Sequence, residues 1–284
     1  MSSGVAGVVM MAENISFAYS GAKPVLRNVS FNVSEGEHVS LIGPNGSGKS
    51  TLFHIIAGFM QPESGRVLLG GRNIASFSQL ERARRLSFVP QDMNAGFPFS
   101  CFEVALMALY PHRSRLAPTS ESDIALVRAL MRETGVWRFA EKNIMDLSGG
   151  EKQRVIITRA LLQIESAASG GAGGLLLLDE AMSALDIAAR IDMMKLLARR
   201  AAASRAAVIG IHHDLHTAYR FSNRVIALSK GRIAASGAPR DVFTEEFFRD
   251  VFSVSVEILD GKGFIVRDSV FHSDNGERLE RPPD

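Results

Sequence analysis

The densest chemistry in this chain lies in the consecutive residues Gly43, Pro44, Asn45, Gly46, Ser47, Gly48, Lys49, Ser50 and Thr51. Gly43 to Ser50 fit the pattern G-x-x-x-x-G-K-[ST]. Glycines let the backbone wrap an anion, so that successive N–H groups point inward. A helix starting near Gly48 directs the positive end of its dipole at the same anion. Lys49 then reaches the β and γ phosphates of a nucleoside triphosphate as a point charge, and the Ser50 hydroxyl is placed to ligate Mg2+. An apolar strand before the loop and a helix after it set this match apart from a chance glycine-rich turn.

A second segment, Leu175-Leu-Leu-Leu-Asp-Glu180, is an apolar run ending in two acids. A buried strand that delivers carboxylates at its C-terminal end places them where α/β proteins bind ligands. Asp179 would hold Mg2+, directly or through water, and Glu180 would orient and deprotonate an attacking water. Taken alone, the run reads equally well as a core strand leaving into a solvated turn; beside the phosphate loop, the functional reading leads. Leu147-Ser-Gly-Gly-Glu151 offers a second anion site. Ser148 is a good N-cap, and Glu151 completes a capping box for the helix Lys152 to Leu162. Gly149 and Gly150 leave the helix N-terminus bare, which suits a phosphate. Both a plain helix cap and the completion of a neighbour's nucleotide site fit these residues.

The elements that must position these groups fall into three stretches. The first 90 residues are strand-rich: Asn14 to Tyr19, Val29 to Val33, Val39 to Ile42, Arg66 to Leu69 and Leu86 to Val89 are apolar or alternating runs broken by Gly, Pro and Asn. Leu52 to Gly58 reads as a helix, and Met1 to Ala12 as a leader into the first strand. From about 92 to 163 helical spacing dominates, in Phe102 to Leu109, Asp123 to Thr134 and Lys152 to Leu162. Glu165 to Gly174 is a Ser/Ala/Gly stretch expected as a loop. Strands at Leu175 to Leu178, Ala207 to Ile211, Val225 to Leu228 and Ile233 to Ala235 then alternate with helices at Ile187 to Ala203 and Leu215 to Phe221. That alternation implies a parallel sheet covered on both faces. A short helix, Thr244 to Phe252, and a hairpin, Val256 to Leu259 with Phe264 to Arg267, precede a polar tail expected to fray beyond His272.

The order of these motifs resembles that of the ABC transporter ATPase family. Gly43 to Thr51 resembles its Walker A segment and Gln91, after Phe88-Val-Pro, its Q-loop. Leu147 to Glu151, followed by Lys152-Gln-Arg154, resembles the signature sequence, and Leu175 to Glu180 the Walker B segment. Ser183-Ala-Leu-Asp186 resembles the D-loop and His213-Asp-Leu the switch histidine. The resemblance spans roughly residues 8 to 245, and ordered motifs of this number are specific. It implies a P-loop NTPase of α/β class with a mostly parallel sheet core, an N-terminal antiparallel β region and an inserted helical subdomain. Residues 1–256 would form the ATPase domain and 257–284 a hairpin and tail.

The resemblance also implies ATP and Mg2+ as cofactors and a head-to-tail homodimer. Lys49 would neutralise phosphate charge, Ser50 with Asp179 would hold Mg2+, and Glu180 would be the base. Gln91 would sense Mg2+ and water and link to the membrane partner, and His213 would contact the γ-phosphate. Ser148, Gly149 and Gly150 would act in trans. Only one of the adjacent His212 and His213 can point into a site at the strand end, and the Asp-Leu that follows favours His213. Tyr19 matches the aromatic that stacks on adenine, but it could equally be a strand aromatic in the core. After Glu180 the family usually has Pro-Thr, whereas this chain has Ala181-Met182; the turn loses a rigid φ and a hydroxyl.

Composition narrows the class. The chain has 284 residues, 46% hydrophobic and 22% charged, with 32 basic and 30 acidic side chains. A net charge of +2 lacks the basic excess of a nucleic-acid binder. Cys101 is the sole cysteine, so no intrachain disulfide forms and a reducing compartment is compatible. The apolar runs are too short to span a bilayer, and no signal peptide is read at the start. Any membrane role must come through a partner, for which the resemblance implies permease subunits, with the chain peripheral on the cytoplasmic face of the inner membrane. Phe97 to Phe102 and Tyr110-Pro-His112 suit either a partner-docking surface or the helical subdomain's own core. Phe-Pro-Phe, Glu103-Val and Tyr110-Pro-His, with Gly237 to Val256, resemble ATPases of importers for iron-siderophores, haem and cobalamin. Those systems add an extracytoplasmic substrate-binding protein. The alternatives are another importer or exporter, or a non-transport ATPase of translation or repair; the last usually carries two cassettes, coiled coils or zinc cysteines.

Overall fold

The structure, a computed structural model, describes residues 7–91, 98–114, 118–168, 173–212, 214–259, 263–269, 271–272 and 278–279. In chain order the elements are β1 (Val8–Phe17), β2 (Leu26–Ser34), β3 (His38–Ile42), α1 (Lys49–Ile56), β4 (Ser64–Leu69), β5 (Arg72–Asn73), α2 (Gln79–Ala83), β6 (Leu86–Val89) and α3 (Cys101–Leu106). They continue with α4 (Glu121–Glu133), α5 (Gly149–Ala168), β7 (Leu175–Asp179), α6 (Ile187–Ser204), β8 (Ala207–Ile211), α7 (Leu215–Phe221), β9 (Arg224–Ser229) and β10 (Arg232–Gly237). The last are α8 (Pro239–Val242), α9 (Glu245–Phe247), β11 (Val254–Leu259) and β12 (Gly263–Ser269).

One sheet runs β10-β9-β3-β8-β7-β6. Its last five strands are mutually parallel, and β10 is antiparallel at the edge. Every residue of β3, β7 and β8 is buried, as a sheet covered on both faces requires. The parallel strands therefore end together at one rim of the sheet, the place where such folds bind ligands. The second sheet, β2-β1-β4-β5, is antiparallel. Apolar residues of its inner face meet Phe53, Ile55 and Ile56 of α1 and the buried Leu175 and Leu177 of β7. On the opposite side, α3, α4 and α5 share a core with α6 that includes Val104, Val127, Leu130, Ile157, Met194 and Leu197. The mostly parallel core, antiparallel N-terminal region and inserted helices read from the sequence are all present.

Several boundaries differ from the sequence reading. β1 begins at Val8, not Asn14, because Met10, Met11 and Ala12 pair with both β2 and β4. It ends at Phe17, leaving Tyr19 outside the strand. Glu165 to Ala168 are helical, not loop. Alanine is the best helix former, Ala167 is buried and Glu165 pairs with Arg200 of α6 at 3.4 Å. The helix expected over Phe102 to Leu109 starts at Cys101, under a capping box of Ser100 and Glu103, and tightens into a 3-10 turn over Met107–His112 that contains Pro111. Thr244 to Phe252 divides into α9 and a π-turn, Phe248–Phe252. The polar tail is not wholly frayed: Phe271 and His272 pair with Leu279 and Arg278. β5 and α2 went unread. The first strand of the C-terminal hairpin begins at Val254, two residues before the expected Val256, and Val256 and Phe264 join a core with Ile42, Phe243 and Phe248.

Candidate functional site

The glycine loop leaves β3 at Gly43 and enters α1 at Lys49. Gly43 has φ 147°, and a Cβ there would collide with the Leu228 carbonyl of the neighbouring β9. Gly48 has φ 102°, and its Cβ would lie 2.8 Å from Leu26 Cδ2. Only glycine supplies both conformations without strain. The Ser47 hydroxyl is buried beside this cradle with no protein partner, a polar atom of the kind a bound anion satisfies.

Lys49 is buried. Its Nζ donates to the Gly43 carbonyl at 2.8 Å and the Pro44 carbonyl at 3.0 Å, so the ammonium sits in the mouth of its own loop. Burial lowers its pKa, while the nearby charges of Glu180 and Asp179 oppose that shift. Ser50 is exposed at the start of α1 and Thr51 is buried. The Tyr19 hydroxyl lies 3.1 Å from Thr51 Oγ1. Its ring, packed edge-on against Phe17 at 5.0 Å, is 48% exposed. Tyr19 is therefore not a core aromatic: it flanks the loop with a free face.

Parallel pairing brings the acids to the same rim. β7 lies between β6 and β8, and Asp179, its last residue, pairs with Ile211. Glu180 follows with φ 50°, a left-handed conformation unusual for a non-glycine residue. Its carbonyl accepts from Ser183 N–H at 3.0 Å, closing the turn. Ala181 and Met182, where the family usually carries Pro-Thr, are 1% and 4% exposed and pack into the helical core. Burial rather than a proline ring holds this turn. Gln91, just beyond β6, donates through Nε2 to Glu180 Oε2 at 2.8 Å. Gln91 and Glu180 are 89 residues apart in sequence and meet because β6 and β7 are neighbours in register.

Ser148 and Gly149 are exposed at the start of α5. The Ser148 N–H and hydroxyl both donate to Glu151 Oε2, at 3.0 and 2.7 Å, forming the reach-back half of the expected box. These two bonds, the hydroxyl's first, lower the Glu151 pKa. A Cβ on Gly150 would lie 2.8 Å from the Ala184 carbonyl, so Gly150 lets the helix end close on the Ser183–Asp186 turn. Gln153 Oε1 accepts from Ala184 N–H at 3.1 Å. This link was missed in the sequence, where Gln153 reads as one polar helix residue among several.

His212 is buried and packs edge-on against His38 at 6.0 Å, turned back along the sheet beneath Gly210. His213 lies outside the described residues, as does Phe97. Phe99 and Tyr110 are exposed, whereas Cys101 is buried and Phe102 meets Trp137; the aromatic run thus divides between surface and core. The described residues contain no group of three or more His, Cys, Asp or Glu able to hold a metal. A hydroxyl and a carboxylate, as in Ser50 and Asp179, are hard oxygen donors of the kind Mg2+ takes when phosphate and water supply the rest, so this donor set would fit that ion.

A parallel sheet delivering a glycine cradle, a buried lysine and paired acids to one rim defines a P-loop nucleotide-binding protein. The profile of the ABC transporter family matches residues 26–183. A hemin import ATP-binding protein, HmuV, of Rhodopseudomonas palustris is 41% identical over 249 residues, 88% of this chain and 90% of that one. A cobalamin import ATP-binding protein, BtuD, of Halobacterium salinarum is 35% identical over 234 residues, 82% of this chain and 56% of that one. A solved ATP-binding cassette, a dimer in a post-hydrolysis state bound to ADP and Pi, superposes with a TM-score of 0.69 at 28% identity, covering 81% of this chain and 99% of that one. The chain belongs to the ABC transporter family, and it is an ATP hydrolase coupled to transport.

Proposed function

We propose that this chain is the ATP-hydrolysing subunit of an importer for an iron complex, haem or a siderophore, or for cobalamin. It works as a homodimer on the cytoplasmic face of the inner membrane, beneath separate permease subunits fed by an extracytoplasmic binding protein. Gly43 to Thr51 cradle the triphosphate, Lys49 swings from its own loop carbonyls to the β and γ phosphates, and the free face of Tyr19 stacks on adenine. Ser50 and Asp179, with Gln91, would hold Mg2+, which would supply charge neutralisation at the triphosphate. Glu180 orients and deprotonates the attacking water, and His213 contacts the γ-phosphate. Ser148, Gly149 and Gly150 close on the nucleotide held by the other copy, where an exposed helix N-terminus suits an anion. Ile187, 76% exposed at the start of α6, fits a surface that a second copy covers.

The observation that carries hydrolysis is the Gln91–Glu180 hydrogen bond, which couples the exit of β6 to the base. Haem and cobalamin as cargo rest on the named functions of the relatives, and a siderophore rests on the sequence resemblance alone. No helix among the described residues is long and apolar enough to cross a membrane, which agrees with transport through a partner. Uptake of labelled haem, siderophore and cobalamin is measured in cells lacking the gene, complemented with wild type or Glu180→Gln. Wild type restores one of the three and Glu180→Gln none. Unchanged uptake of all three on deletion refutes the cargo class.

A further inference from the structure

Arg190 lies one turn into α6, its N–H bonded to the Asp186 carbonyl at 2.9 Å, and its side chain turns back toward the sheet rim. Nη2 donates to the Leu185 carbonyl at 3.2 Å. Nη1 donates to Asp214 Oδ2 at 3.3 Å. Asp214 is itself committed to the next helix: Oδ1 accepts from His216 N–H at 3.0 Å and Oδ2 from the Thr217 hydroxyl at 2.7 Å, capping α7. One planar guanidinium thus joins the end of the turn that starts at Glu180 to the residue that opens α7. These are the exits of the adjacent strands β7 and β8. Arg190 and Asp214 also line a cavity of about 210 Å³ whose other walls include Glu180, Ser183, Ile211 and His212.

We infer that Arg190 is a positioning residue for ATP hydrolysis. Its fork sets the separation between the Glu180 turn and the segment entering α7, and so the width of the cavity beside the Glu180 carboxylate. The inference rests on the reading of Glu180 as the base. The two-armed geometry suits arginine and not lysine, because a single ammonium cannot span a carbonyl and a carboxylate in fixed directions. This ion pair is only partly exposed, 24% at Arg190 and 41% at Asp214, and such pairs contribute modestly to stability, so the larger contribution of Arg190 falls on geometry.

Steady-state hydrolysis of Mg-ATP by the full chain tests this. Arg190→Ala lowers kcat about tenfold, equivalent to about 1.4 kcal/mol, leaves KM within about twofold and moves the unfolding midpoint by only about 2 °C. Arg190→Lys, which keeps one arm, recovers part of the rate. Asp214→Asn keeps the α7 cap but loses the charge, and adding Arg190→Ala to it lowers kcat less than about twofold further. A kcat for Arg190→Ala within about twofold of wild type overturns the inference, as do independent, multiplying effects of the two variants. Should Arg190→Ala fail to fold, Arg190→Lys and Asp214→Asn decide on the same kcat and KM criteria. Glu180→Gln, run in parallel, separates the two readings. If it still hydrolyses ATP, the base assignment fails; if it is inactive while Arg190→Ala is normal, only Arg190 is misassigned.

Discussion

His38 gives the fold a pH dependence that can be worked out in advance. It opens β3, is 3% exposed and has strands on both sides. Burial drives its pKa from 6.5 to about 4, partly opposed by the backbone of Phe221. Burial favours the neutral ring, so the unfolded chain takes up the proton first and the native state only near pH 4. Stability is therefore fully present above about pH 6.5 and declines as pH falls toward 4. Between pH 7 and 5 the linkage relation gives a loss of about 2 kcal/mol from this ring alone. Other groups titrate over the same range, so the comparison is with His38→Leu, which removes the ring and keeps an apolar filling. Urea melts at pH 7, 6 and 5 report the difference, and wild type loses about 2 kcal/mol more than the variant. Parallel losses, within about 0.5 kcal/mol, would refute the reasoning.

Lys49→Ala removes a charge-assisted contact of about 1.5–3 kcal/mol, so a fluorescent ATP analogue binds at least about tenfold more weakly; unchanged titration contradicts the assignment. Gly43→Ala, which drives a Cβ into the Leu228 carbonyl, weakens the same titration, and wild-type affinity would show that the loop tolerates a side chain. Met182→Ala opens a cavity under the Glu180 turn and costs about 2–4 kcal/mol; an unchanged thermal midpoint means that burial does not hold this turn.

The residues with the strongest local rules were the most legible. The loop Gly43 to Thr51 and the run Leu175 to Glu180 each combine a pattern with the strand that must carry it, and both fall at the rim of the sheet. β3, β7 and β8 are buried throughout because both faces are covered, and the unbroken runs Leu175 to Leu178 and Ala207 to Ile211 mark β7 and β8 as parallel strands before any pairing is known. Boundaries were harder to read. Glu165 to Ala168 look like a linker by composition, yet a contact with Arg200, 35 residues away, makes them helix. Tyr19 was ambiguous because strand and loop aromatics look alike; β1 ending at Phe17 resolves it. The Gln91–Glu180 and Gln153–Ala184 bonds span 89 and 31 residues. No local periodicity reports such pairs, and only the strand order and helix packing create them.

In the proposed function ATP bridges two copies, gripped by Lys49 in one and by Ser148 to Gly150 in the other. Glu180→Gln binds ATP and barely hydrolyses it, so the bridged state accumulates. Light scattering on size-exclusion fractions should give twice the mass of one chain with Mg-ATP and one chain's mass with ADP. A protein that stays monomeric at saturating ATP, with binding confirmed in the same sample, contradicts the account.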